Sequence, residues 1–167
     1  MSATRQGNPQ IGTRPNRVPW PPLHYGAALA AGFGLGWFYP LGWPQGLAQP
    51  LGWLGGGILA AIGLSLDLWS IFTLYRAHTN VLPHRAADHL VTHGPFAFTR
   101  NPIYLGNTLL VFGLGLLFLN AWLIAAALLA AFATDRLAAR REEAHLAARF
   151  GAPFEAYRAR VPRWIVR

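Results

Sequence analysis

The 167-residue chain contains no cysteine and no lysine, and its acidic side chains number only six. Without cysteine there is no disulfide, no thiolate metal site and no thiol nucleophile. Charged residues make up 12% of the chain against 53% hydrophobic ones, a balance that argues against an ordinary soluble globule. The formal net charge of +8 is carried entirely by arginine, and no arginine lies between Val18 and Tyr75 or between Ile103 and Asp135. A nucleic-acid binder spreads basic residues over a face. Here they are confined to the ends of apolar stretches, as membrane topology requires, and no nucleic-acid partner is expected.

The apolar stretches set the fold class. Segments of about 20 apolar residues cross a bilayer as helices, and residues 23–41 and 51–75 both qualify. Residues 103–135 are too long for one crossing and divide near Asn120, a turn-forming residue beside Trp122, into 103–119 and 121–135. The expectation is an all-α, polytopic membrane protein of about four transmembrane helices with a C-terminal interfacial or cytoplasmic helical segment. The uncharged connection 42–50, with Trp43 in it and Trp37 and Trp53 nearby, fits an outer aromatic belt. Both termini and the arginine-bearing loop 76–100 then face the cytoplasm. The Arg- and Ala-rich, lysine-free composition points to a GC-rich bacterial source and so to an inner membrane.

Residues 1–22, with three arginines, several prolines and no apolar period, read as a flexible cytoplasmic arm rather than a cleavable signal, leaving 23–167 as one membrane domain. Residues 136–150 have strong helical propensity, and Gly151 and Pro153 are expected to end that helix. Beyond them Phe154, Tyr157, Val161 and Trp164 interleave with arginines, a pattern suited to the headgroup level. Glycines at 32, 34 and 36, at 55–57, and at 113 and 115 lie inside spans with no preceding strand. Close helix approach explains them better than a dinucleotide loop.

Four residue groups are able to carry chemistry. His78, His84, His89 and His93 surround the loop before the third span, but their spacing matches no ligand motif, so no metal is expected. Arg100-Asn101-Pro102-Ile103-Tyr104-Leu105-Gly106 is more specific. Pro102 suits a first helical turn, whose N–H groups favour a carboxylate, Asn101 offers donor and acceptor, and Tyr104 is able to stack on a purine. An ordinary N-cap with a snorkelling Arg100 reads the same residues equally well. Glu142 and Glu143 point about a hundred degrees apart on the exit helix. One is placed to accept bonds from ribose hydroxyls or an ammonium group while the other pairs with Arg140 or Arg141; a solvated charged helix is the plainer account. Asp67, inside the second span, is expected to pair with Arg100, to line the substrate pocket or to be protonated and structural, with a buried structural pairing favoured over a catalytic role.

Taken in order, Thr79-Asn80-Val81-Leu82-Pro83, Leu90-Val91-Thr92-His93-Gly94-Pro95-Phe96, the Arg100–Gly106 block, Glu142-Glu143, Phe150-Gly151, Tyr157 and Val161-Pro162-Arg163-Trp164 form a pattern. It resembles the isoprenylcysteine carboxyl methyltransferase and phospholipid methyltransferase superfamily over roughly residues 76–167. The resemblance implies transfer of a methyl group from S-adenosyl-L-methionine, with S-adenosyl-L-homocysteine as product, to a lipophilic acceptor at the bilayer. It implies cofactor-site segments at 76–106 and 136–167, with contacts from Asp88, His89, Leu90, Val91, Asn101, Pro102, Ile103, Tyr104 and Glu142. Phe96 falls on the substrate side, where relatives often carry an aromatic hydroxyl that Phe96 lacks. Asn101 stands where many relatives have His; it is able to hydrogen-bond but not to act as a base. Arg100 is suited to orienting an anionic acceptor, and Glu142 or Glu143 to accepting a proton from an amine. The acceptor atom stays open among oxygen, nitrogen and sulfur, and no oligomeric state is implied. A nicotinamide-dependent reductase of sterol-reductase architecture and a non-enzymatic membrane scaffold are the competing readings.

Overall fold

The computed structural model describes residues 20–43, 48–79 and 89–165. Its helices are α1 (Trp20–Phe38), α2 (Ala48–Arg76), α3 (Pro102–Leu117), α4 (Ala121–Thr134), α5 (Arg140–Phe150) and α6 (Ala152–Arg160). A short 3-10 turn, Gly94–Ala97, precedes α3, and a π-helical turn, Asp135–Ala139, joins α4 to α5. Among the described residues there is no strand, in agreement with the all-α reading. Packing places α3 between α2 and α4, with α1 laid chiefly on α4.

Two rods are long and apolar enough to cross a membrane, Gln49–Arg76 and the continuous Ala121–Phe150; α3 is apolar but shorter. α1 starts at Trp20 rather than Leu23, because Pro21 and Pro22 occupy its first turn, where a missing N–H costs nothing. The expected arm therefore shortens, and 1–19 lie outside the described residues. The turn at Asn120 is as expected. Its side-chain oxygen accepts the N–H groups of Trp122 at 3.0 Å and Leu123 at 3.2 Å, capping α4. Its amide donates to the Gly32 carbonyl at 3.0 Å, which fastens the turn to α1.

The glycines do bring helices together, most closely between α2 and α3. Gly56 and Gly63 on one helix and Gly106 and Gly113 on the other recur every seven residues and face the partner backbone. A Cβ on Gly63 would lie 2.6 Å from both the Gly106 carbonyl oxygen and the Leu110 nitrogen. Gly63→Ala is expected to destabilise the protein by about 1–3 kcal/mol through overpacking. Gly34→Ala, whose Cβ would meet nothing within 4 Å, serves as the tolerated control. Thermal unfolding in detergent measures both.

At one end of the bundle the start of α1, the end of α2, the start of α3 and the end of α4 come together, and all described arginines lie there. At the other end the Trp122 indole donates to the Tyr39 carbonyl at 2.8 Å. In the C-terminal segment Gly151, at φ 57°, makes the reversal that ends α5 as expected, and Pro153 lies in the first turn of a further helix, α6. Phe154, Tyr157 and Val161 are buried against Leu90, Leu146, Ala147 and Phe150. Their apolar side chains find a partner in α5 and the loop before α3, which the alternating arginines conceal in sequence.

Candidate functional site

Pro102 opens α3 and sets Tyr104 on its first turn, facing the rod formed by α4 and α5. The Tyr104 hydroxyl donates to Glu142 Oε1 at 2.6 Å, a charge-assisted length. The start of α3 and the rod formed by α4 and α5 are therefore joined by the two side chains that the sequence singles out.

Glu143, the next residue, is turned to a different neighbour. Arg163 grips it at two points, Nε to Oε1 at 2.8 Å and Nη2 to Oε2 at 2.7 Å. Arg100 Nη2 approaches Oε1 at 3.3 Å. Glu143 is buried, so this pairing neutralises a carboxylate that would otherwise be costly. Expected pairing with Arg140 or Arg141 does not occur; Arg140 instead binds Asp135 at 2.9 Å, because the π turn rotates Glu143 toward the C-terminal tail. Asp135 also receives Arg163 Nη1 at 3.3 Å and the Trp164 indole N–H at 3.2 Å.

Backbone bonds seat the tail across the start of α3. The Arg100 N–H donates to the Pro162 carbonyl at 3.0 Å. Thr99 Oγ1 and the Asn101 amide both donate to the Arg163 carbonyl, at 2.8 and 3.2 Å. Asn101 occupies the N-cap position, but its side chain makes no cap bond there and reaches the tail instead. Its buried side chain thus acts as a strut.

The electrostatics follow from burial and pairing. The bond to Glu143 raises the Arg163 pKa, against burial and with help from Asp135. Burial lowers that of Arg100, and the Glu143 carboxylate opposes the shift. Burial raises Tyr157, whose hydroxyl donates to the Phe96 carbonyl at 2.7 Å. The Arg100 side chain is only 10% exposed, yet its Nε and Nη1 have no hydrogen-bond partner among the described residues. It does not snorkel, and these donors suit an anion.

The remaining singled-out residues distribute as follows. Asp88 lies outside the described residues. His89 is exposed and its N–H donates to Thr79 Oγ1 at 3.3 Å. Val91 is buried and Leu90 packs on α6, so 89–91 belong to the same end of the molecule. Pro102 is buried and Ile103 half-buried beside Tyr104. Phe96 is half-buried in the 3-10 turn. Asp67 does not pair with Arg100, whose reach is toward α5. It is buried against Gly106 at the α2–α3 crossing, with Oδ1 lacking a hydrogen-bond partner among the described residues.

Sequence reasoning passed over Asp135, Arg163 and Tyr157 as site residues, reading the tail arginines as a charged ribbon. The signal for Arg163 was its place in Val161-Pro162-Arg163-Trp164. An apolar groove of about 300 Å³ lies next to the site, lined by Leu105, Thr108, Ala131, Phe132, Asp135, Arg136 and Trp164.

Long apolar helices with a polar junction at one end define an integral membrane protein whose buried ionic site is built from the helix ends there and the C-terminal tail. The chain belongs to the phospholipid methyltransferase family, whose sequence model matches residues 52–153. Among solved structures it is similar to the eukaryotic intramembrane Ras methyltransferase ICMT (isoprenylcysteine carboxyl methyltransferase), at 27% identity and a TM-score of 0.60. That similarity covers 87% of this chain and 52% of the other, so the chain spans about half the length of that relative. No curated protein matches the chain.

Proposed function

We propose that the chain is a membrane methyltransferase that uses S-adenosyl-L-methionine to methylate a small lipidic or isoprenoid-like acceptor at a carboxylate, amine or thiol. The observation that carries this reading is the contact of Tyr104 with Glu142 beside the buried, partly unpartnered guanidinium of Arg100. An amino-acid nucleoside offers a carboxylate, an ammonium group and ribose hydroxyls. The donor set fits it: arginine for an anion, carboxylate for a cation or hydroxyls, and an aromatic ring for the base.

In this reading the 88–91 and 101–104 segments and Glu142 hold the cosubstrate. When bound, it supplies an electrophilic methyl group on a sulfonium. The chain's own residues align the two reactants, an effect worth on the order of 7–11 kcal/mol in well-oriented systems. The acceptor's nucleophilic atom bonds to the methyl carbon as the carbon–sulfur bond breaks, so no metal or covalent enzyme intermediate is required. Arg100 orients an anionic acceptor. Glu143 has both oxygens engaged by Arg163 and Arg100, so its part is to position Arg100; a proton from an amine acceptor passes to Glu142 or to water. Phe96 and Asp67 are assigned to the acceptor side, and the apolar groove beside α3 and α4 suits a hydrocarbon chain.

Four crossings by α1 to α4, with the arginine-bearing end and both termini in the cytoplasm, agree with the positive-inside bias and with delivery of a water-soluble cosubstrate. A bacterial inner membrane is the setting we assign. Calorimetry on detergent-purified protein tests the reading. S-adenosylhomocysteine is expected to bind with a micromolar or tighter Kd and NADPH not to bind. Binding of NADPH alone would transfer the site to the reductase reading.

A further inference from the structure

We propose that Tyr25 is a positioning residue for the Tyr104–Glu142 junction and that α1 acts as the clamp that keeps the junction in register. The inference rests on the cosubstrate reading above, and α1 lies wholly outside the family-matched residues 52–153. Tyr25 is 3% exposed. Its hydroxyl lies 3.0 Å from the Tyr104 carbonyl oxygen and 2.7 Å from Thr108 Oγ1. Thr108 Oγ1 is itself 2.7 Å from the same carbonyl.

Three oxygens here share two hydroxyl protons, so one edge of the triangle carries no proton of its own. Both hydroxyls donate to the Tyr104 carbonyl, which has a lone pair for each, and the hydroxyl–hydroxyl edge is the one without a proton. Thr108 bonds back one turn within α3 and leaves the placement of that helix untouched. Tyr25 arrives from a different helix. It holds Tyr104 by its backbone while the Tyr104 phenol, on the same residue, reaches Glu142.

The residue before it grips the other half of the junction. His24 Nδ1 lies 3.1 Å from Thr134 Oγ1, in the last turn of α4, and Trp20 stacks on the His24 ring. α4 continues as one rod into α5, which carries Glu142. Consecutive residues of α1 thus hold the helix bearing the phenol and the rod bearing the carboxylate. α1 packs mainly on α4, so the Tyr25 hydroxyl is its principal polar tie to α3.

Tyr25→Phe removes this tie and leaves Thr108 free to satisfy the carbonyl. In the full-length protein, S-adenosylhomocysteine affinity is expected to fall roughly three- to tenfold, the range of one hydrogen bond. Trp122→Phe removes a polar tie between α1 and α4 at the far end and is expected to leave the affinity within twofold. Equal losses in the two variants, or an unchanged affinity in Tyr25→Phe, would overturn the positioning role. If Tyr25→Phe does not fold, hydrogen exchange on the wild type decides. S-adenosylhomocysteine should then slow exchange in residues 22–28 as well as 101–106, and no change in 22–28 overturns the inference. Wild-type protein that fails to bind S-adenosylhomocysteine is a separate outcome, which overturns the cosubstrate reading and this inference with it.

Discussion

Glu143→Ala is expected to lower stability by about 3 kcal/mol, more than other single changes in the site, because it strands the buried Arg100 guanidinium and leaves Arg163 with Asp135 alone. Glu143 is 7% exposed and holds Arg163 at two points and Arg100 at a third. Removing the carboxylate leaves Arg100, whose side chain is 10% exposed, without a carboxylate partner, while Arg163 keeps Asp135 at 3.3 Å. Arg163, at 28% exposure, recovers some hydration, which keeps the cost at the lower end of the range for broken buried pairs. The thermal midpoint in detergent should fall by about 6–12 °C. Glu143→Gln retains the shape and should recover part of the loss. A midpoint unchanged in Glu143→Ala would mean that the ionic cluster does not hold the tail.

Glu142→Ala should act differently, leaving stability close to the parent and weakening S-adenosylhomocysteine binding about 10- to 100-fold. That range corresponds to the loss of one or two hydrogen bonds to a charged group. Glu142 is half-buried and its bond to Tyr104 spans two helices already packed through α3 and α4, so the fold does not hang on it. Tyr104→Phe should weaken binding as well, and the double variant should lose less than the sum, since the two groups form one unit. Additive losses, or affinities equal to the parent, would separate the pair and remove it from the cosubstrate site.

The sequence was most legible where a single local rule decides the outcome. Arginine placement marked the polar end, Asn120 marked the turn, and Pro102 marked the start of α3 within one residue. The pairing of Tyr104 with Glu142 was legible only through an ordered set of motifs, since 38 residues separate them. One of the two glutamates was expected to pair with Arg140 or Arg141, and Glu143 pairs with Arg163 and Arg100. Local spacing favours the nearer arginines, and nothing local reveals a helix α6 that returns the tail to residue 163. Asp67 and Arg100 were matched by charge alone, although the fold sends one to the α2–α3 seam and the other to α5. Tyr25 gave no sign at all, because its role depends on a contact across 79 residues.

The π-helical turn between α4 and α5 has a consequence for which way such a site faces. The Arg140 N–H bonds to the Asp135 carbonyl, one residue further back than in an α-helix. Such single π turns inside α-helices are frequent at functional sites. One extra residue in a turn swings everything after it by about 100° relative to an uninterrupted α-helix, so the π turn fixes the azimuth of both glutamates. Without that extra residue the same two acids would lie on the wrong side of the rod.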